Sequence, residues 1–209
     1  MPTIDLVIFD CDGVLVDSEP VAQRILVAHL KPIVPEQAEG IASRCVGRSY
    51  HDIQGFVENA CERKLGTTFW SELQIETLRE LEASLAPDLA LRHLLLSLPV
   101  PFCVASSGTH DKIKRVLRAV DVYDLFHGQV FSAEDVVLGK PAPDLFLHAA
   151  AHNHVPPERC LVIEDSEPGL QAGDAAGMQV LHLNSNRAAS SSFAQIHQLS
   201  ELRQRLSTS

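Results

Sequence analysis

Two aspartates one residue apart, Asp10 and Asp12, follow the apolar run at residues 4–9 and precede Gly13. Alternate side chains of an extended segment point the same way, so both carboxylates can face one cleft at a strand end. Such a pair can divide labour. One carboxylate attacks an electrophile and the other moves protons, provided positive charge keeps the first ionised and lets a phosphate approach. Mg2+ is the obvious supplier of that charge. Taken alone, the run DCDG reads equally well as a turn, because Asp and Gly fill turns for steric reasons.

Three other segments carry complementary groups. Ser106, Ser107 and Gly108 follow the β-rich FCVA, Lys140 sits in LGKPAPD, and Glu164, Asp165 and Ser166 follow CLVI. Hydroxyls and backbone N–H groups can hold phosphoryl oxygens, the more so with a helix starting near Asp111. Lys140 can neutralise phosphate charge, and Asp165 can join Asp10 in an oxygen-ligand set for a hard divalent ion. Singly, each has a plain structural reading: a loop hydroxyl, a surface lysine, a helix cap.

These groups need strands that end together. Strand signals at residues 4–9, 102–105, 130–131, 160–163 and 179–183 alternate with helical patterns at 111–119, 143–151 and 170–176. That alternation predicts an α/β fold, a doubly wound parallel sheet with a Rossmann-like core. After VLVDSEP, where Asp17 or Ser18 could cap, residues 21–30 read as a helix with Pro20 in its first turn. Residues 31–85 are mostly helical in pattern, with a second helix over 71–85 and no good strand. The expected organisation is a catalytic core of residues 1–17 and 86–209 with an inserted all-helical cap domain at 18–85. Residues 185–192 read as a polar loop, and Ile196, Leu199, Leu202 and Leu206 as a last amphipathic helix.

With these segments in place, the chain resembles the haloacid dehalogenase-like hydrolase superfamily, in its aspartyl-phosphate-forming branch. FDCDGVLVDSE at 9–19, VASSGT at 104–109, GKPAPD at 139–144 and IEDSEPGLQAG at 163–173 match the four motifs of that family in order. The resemblance covers nearly the whole chain, and the set is far more specific than any one member. It implies Asp10 as nucleophile, Asp12 as general acid/base, and Ser106 and Lys140 as phosphate holders. It implies Mg2+ held by Asp10, Asp165 and the backbone carbonyl of Asp12, with Glu164 as a supporting neighbour. The helical insert is similar to the C1-type caps of the β-phosphoglucomutase and phosphoglycolate phosphatase relatives. Its segment CVGRSYHD at 45–52 aligns with the cap segment that reaches substrate, which makes Arg48, Tyr50 and His51 candidates. The stretch LLLSLPVPFCVASSG broadly resembles the 6-phosphogluconate phosphatase relatives.

The expected activity is hydrolysis of a small phosphorylated metabolite, a sugar phosphate or sugar-acid phosphate. A phosphomutase shares every core residue and is the alternative. A non-catalytic binding module is disfavoured because no catalytic position is substituted, and a dehalogenase because those relatives lack the second aspartate and the metal.

Composition agrees with a small-molecule enzyme. With 209 residues, the chain suits one domain plus an insertion. Its 27 acidic and 17 basic residues give a net charge of -10, without the electrostatic footprint for a nucleic-acid backbone. No apolar run approaches the roughly 18 residues of a membrane span, so no membrane partner is expected. Five cysteines without CxxC spacing read as packed thiols in a reducing cytoplasm. His148 and His152 have metal-binding i, i+4 spacing, yet no HExxH accompanies them, and a solvated helix face is the better reading. The chain is expected to act as a monomer.

Overall fold

In the computed structural model, which describes residues 3–45, 50–184 and 191–207, strand β1 (Leu6–Phe9) is apolar and buried at every position. An unbroken apolar run is what a central parallel strand requires, since helices cover both faces. β1 lies between β2 (Phe102–Ser106) and β4 (Cys160–Glu164), with Val7 opposite Phe102 on one side and Leu161 on the other. β3 (Val130–Ser132) continues the sheet beyond β2, and β5 (Gln179–Leu183) and β6 (Ala194–Ile196) continue it beyond β4. The result is a six-stranded parallel sheet in the order β3-β2-β1-β4-β5-β6. The strand order reverses between β1 and β4, and ligands of open α/β sheets bind outside the carboxyl ends of strands at such a switch point.

The chain divides into two compact units, residues 1–16 with 86–209, and residues 17–85. Every regular element among the described residues of the second unit is a helix. The unit holds α1 (Glu19–Leu30), α2 (Ala38–Ser43), α3 (Tyr50–Ala60) and α4 (Gly66–Ser84). Ile25, Leu26, Leu30, Ile41, Val57, Trp70 and Leu81 are among its buried residues, and the Trp70 indole N–H donates to Glu58 Oε1 at 3.2 Å. Ser18 stands at the N-cap of α1 but makes no capping bond, because its backbone is already helical (φ −90°, ψ −19°). The expected cap is thus absent, and Pro20 alone marks the start.

In the first unit, α5 (Leu89–Leu96), α6 (His110–Ala119), α7 (Asp144–His152) and α8 (Glu167–Ala175) flank the sheet. Leu6, Ile8, Cys103, Ala105, Cys160 and Val162 form one apolar core with Leu145, Phe146 and Ala149 of α7 and Ala172 of α8. Burying one such large side chain contributes about 1.5–3 kcal/mol. The sequence expectation fails at the C-terminus. Ile196 ends strand β6, a 3-10 turn covers Leu199–Glu201, and only Leu202–Ser207 is helical, as α9. Ile196 and Leu202 are both fully buried, so the apolar spacing comes from a strand and a separate helix meeting the same core. Residues 185–190 of the expected loop lie outside the described residues.

Candidate functional site

β1 ends first of the three central strands, with β2 running two residues and β4 one residue beyond it. Phe9 lies opposite Val104 and Ile163, and the Asp10 N–H donates to the Ile163 carbonyl at 3.0 Å, so Asp10 runs beside β4 for one residue past its strand. Lys140 reaches this point from the segment before α7. Its ammonium donates to Asp10 Oδ1 at 2.5 Å, to Glu164 Oε1 at 2.7 Å and to the Ala105 carbonyl at 3.1 Å. Three acceptors match the three hydrogens of an ammonium, and the Phe146 ring lies 4.7 Å away on a further side. Burial works to lower the proton affinity of Lys140, but the Asp10 and Glu164 carboxylates outweigh it and hold it above the ordinary lysine range.

Glu164 is fully buried. Its Oε2 accepts from the backbone N–H groups of Asp165 and Ser166 and from the Ser166 hydroxyl, each at 2.9 Å. Ser166 in turn caps α8 by accepting from the Gly169 N–H at 3.3 Å. A side chain at residue 169 would overlap the Glu164 carboxylate, which is why α8 carries glycine there. A side chain at residue 13 would overlap Asp165, and Gly13 also has φ +80°, so the turn after Asp12 needs glycine twice over.

Asp10, Glu164 and Asp165 each present a carboxylate oxygen within 4.8 Å of the other two. Burial pushes the Asp10 carboxyl well above the usual range. Lys140 opposes that rise, while Glu164, Asp12 and Asp165 add to it. The site therefore carries more negative charge than its lysine balances. Hard oxygen donors in excess suit a hard divalent cation. Glu164 is the most heavily engaged of the three, with three donors on Oε2 and Lys140 on Oε1. Asp10, Asp165 and neighbouring backbone oxygens are the donors that fit.

Asp12 has a cation of its own. Lys112 Nζ lies 2.8 Å from both Asp12 oxygens, and that pairing keeps the lysine above its ordinary range although burial acts the other way. Asp12 also bridges to Val16, closing a tight turn in which the Leu15 and Val16 N–H groups share the Cys11 carbonyl. Beside it lies the turn after β2. Ser106 Oγ accepts from the Gly108 N–H at 3.1 Å, Ser132 Oγ donates to the Gly108 carbonyl at 2.7 Å, and Thr109 caps α6. Ser106 is buried, and Ser107 and Gly108 are half-buried.

Asp10, Lys140, Glu164 and Asp165 thus form one hydrogen-bonded group, with Asp12 next to it in sequence on Lys112. Arg48 and the side chain of His51 lie outside the described residues. Tyr50 donates its hydroxyl to the Trp70 carbonyl at 3.2 Å within the helical unit. His148 and His152 are exposed on α7 and meet Phe131 edge-on at 5.5 and 5.2 Å. Sequence reasoning missed Lys112 and Ser132. The one available signal for Lys112 was its sign, since a lysine in the first turn of a helix opposes the macrodipole.

Comparison with known proteins points the same way. The family described as haloacid dehalogenase-like hydrolase matches residues 4–177. The 6-phosphogluconate phosphatase of Escherichia coli (strain K12) is 30% identical over 184 residues, covering 87% of this chain and 83% of the relative. The phosphorylated carbohydrates phosphatase of Thermotoga maritima is 29% identical, covering 86% and 84%. A HAD family hydrolase from Deinococcus radiodurans, solved with bound phosphate and sodium, superposes with a TM-score of 0.74 at 26% identity, covering 98% of this chain and 96% of that one.

Proposed function

From the premise that this chain belongs to the haloacid dehalogenase-like hydrolase family, as an enzyme with phosphatase relatives, we propose a Mg2+-dependent phosphomonoesterase acting through an aspartyl-phosphate on Asp10. Its proposed substrate is a small phosphorylated metabolite, a sugar phosphate or sugar-acid phosphate. The observation that carries this reading is the buried Asp10–Lys140–Glu164 group, with Asp165 beside it, at the carboxyl end of the central strand.

In the first step an Asp10 oxygen attacks phosphorus, the bond from phosphorus to the leaving oxygen breaks, and Asp12 delivers a proton to that oxygen. In the second step water attacks phosphorus, Asp12 takes its proton, and the bond to Asp10 breaks to release inorganic phosphate. Lys140 fixes the Asp10 carboxylate through Oδ1 and sets positive charge against the phosphoryl group, while the turn at Ser106, Ser107 and Gly108 supplies a hydroxyl and N–H groups for its oxygens. Bound by Asp10, Asp165 and the Asp12 backbone carbonyl, Mg2+ would add charge to stabilise the same oxygens. The helical unit is the proposed cap, with Arg48 and His51 addressing the leaving group.

The test is phosphate release across sugar phosphates, phosphogluconate, phosphoglycolate and nucleotides, with Mg2+ and with chelator. Selective hydrolysis that requires Mg2+ is expected. Full activity in excess chelator would overturn the metal dependence, and no release from any member would overturn the phosphatase reading.

A further inference from the structure

Lys112 occupies the third position of α6, where the helix N-terminus favours anions, yet its ammonium turns back to Asp12. Its stem passes over Gly108. A side chain at residue 108 would meet Lys112 Cδ at 3.3 Å and Ser106 Oγ at 3.4 Å, so the glycine leaves room for both. The ammonium then takes both Asp12 oxygens at 2.8 Å, a two-point hold on the carboxylate. The two lysines are separately committed: Lys140 to Asp10, Glu164 and a carbonyl, Lys112 to Asp12.

We infer that Lys112 is a positioning residue for proton transfer, holding the Asp12 carboxylate, from the turn proposed to cradle the phosphoryl group, as the base of the second step. Ser106, Gly108 and Lys112 belong to one βα turn braced by Ser132 and capped by Thr109. Whatever fixes the phosphoryl oxygens there also fixes the group that takes the proton from the attacking water. In that step the water oxygen bonds to phosphorus, its proton passes to Asp12, and the bond from phosphorus to Asp10 breaks. The inference rests on the phosphatase reading above.

An aryl phosphate separates the two steps. p-Nitrophenolate leaves without needing a proton, so transfer to Asp10 depends little on Asp12, whereas hydrolysis of the phosphoenzyme still needs the base. With p-nitrophenyl phosphate and Mg2+, K112M is expected to lower kcat by about tenfold to a hundredfold. KM should fall in parallel, leaving kcat/KM within about threefold of wild type. Acid quench should trap phosphoenzyme on K112M well above the wild-type level. K112R, which keeps a cation but shifts it, should show the same split at smaller amplitude, and it serves if K112M does not fold. A raised KM at unchanged kcat would assign Lys112 to phosphate binding and overturn the inference. So would kcat and kcat/KM falling together, or an unchanged kcat. Wild-type enzyme that releases no product would instead defeat the phosphatase reading itself.

Discussion

Asp10 and Glu164 share one ammonium: Lys140 Nζ lies 2.5 Å from Asp10 Oδ1 and 2.7 Å from Glu164 Oε1. The sharing is unequal. Glu164 has its Oε2 taken by three donors from the N-terminal turn of α8, so it acts as a fixed strut that holds the lysine through Oε1. In the proposed mechanism it is the second oxygen of Asp10 that attacks phosphorus. Two adjacent acids of similar burial are thereby given different work by their hydrogen-bond partners alone.

Asp10→Asn should abolish turnover while preserving the fold. The amide is near-isosteric but cannot form an acyl phosphate, so phosphate release should fall by at least about a thousandfold. An Asn variant with matching circular dichroism and more than a few per cent of wild-type activity would exclude the covalent route.

Stability should respond to pH and Mg2+ together. Burial raises the folded-state pKa of Asp10 above its ordinary value of 3.8, so the metal-free folded protein binds a proton that the unfolded chain releases. The stability linked to that proton is fully present below the ordinary value and is lost as pH rises through the folded one. Added Mg2+ replaces the missing charge, and should raise Tm more at pH 7.5 than at pH 5. Asp165→Ala should shrink that rise. Equal Mg2+ shifts at both pH values would contradict the account.

Two glycine-to-alanine changes in helices should have opposite signs. Gly169→Ala forces a methyl into the Glu164 carboxylate, displacing a buried charge from its partners at a cost of about 3 kcal/mol. Gly55→Ala in α3 meets nothing within 4 Å and should stabilise by about 0.5–1 kcal/mol through helix propensity. Chemical denaturation of both variants measures the difference directly.

Phosphate release should exceed isomerisation. The resemblance to the β-phosphoglucomutase relatives implies, for a mutase, a histidine five residues past the aspartate that matches Asp17, placed to favour transfer to a sugar hydroxyl. Here that position is Ala22, exposed in the first turns of α1. Alanine can neither orient a hydroxyl nor exchange a proton, so water should win the phosphoenzyme. Product analysis with glucose 1-phosphate and a bisphosphate activator should yield free phosphate and negligible glucose 6-phosphate. Faster accumulation of the isomer would reverse the assignment to a mutase.

The central strands were legible because burial on both faces leaves a contiguous apolar signal. FCVA and CLVI each extend one residue further, to Ser106 and Glu164, where polar side chains still occupy strand positions. α5 and β6 were not legible. LALRHLLL lacks a clear polar face, and β6 is only three residues long with an exposed first position. Among the site residues, Asp10, Lys140, Glu164 and Asp165 were named from sequence, but Lys112 was not. Its partner Asp12 is 100 residues away along the chain, and no local spacing reports such a pairing.

The insertion of residues 17–85 after β1 has a consequence for how the chain folds. The strand partners of Val7 are Phe102 and Leu161, far along the chain, whereas residues 17–85 form a compact unit from one continuous stretch. During synthesis β1 emerges first and waits without a partner while the helical unit, rich in local contacts, can form. The strand that leads into Asp10 should therefore be consolidated late, and a ribosome-bound chain ending at about residue 125, with β2 still in the exit tunnel, should protect amides of residues 17–85 from hydrogen exchange while leaving those of β1 open.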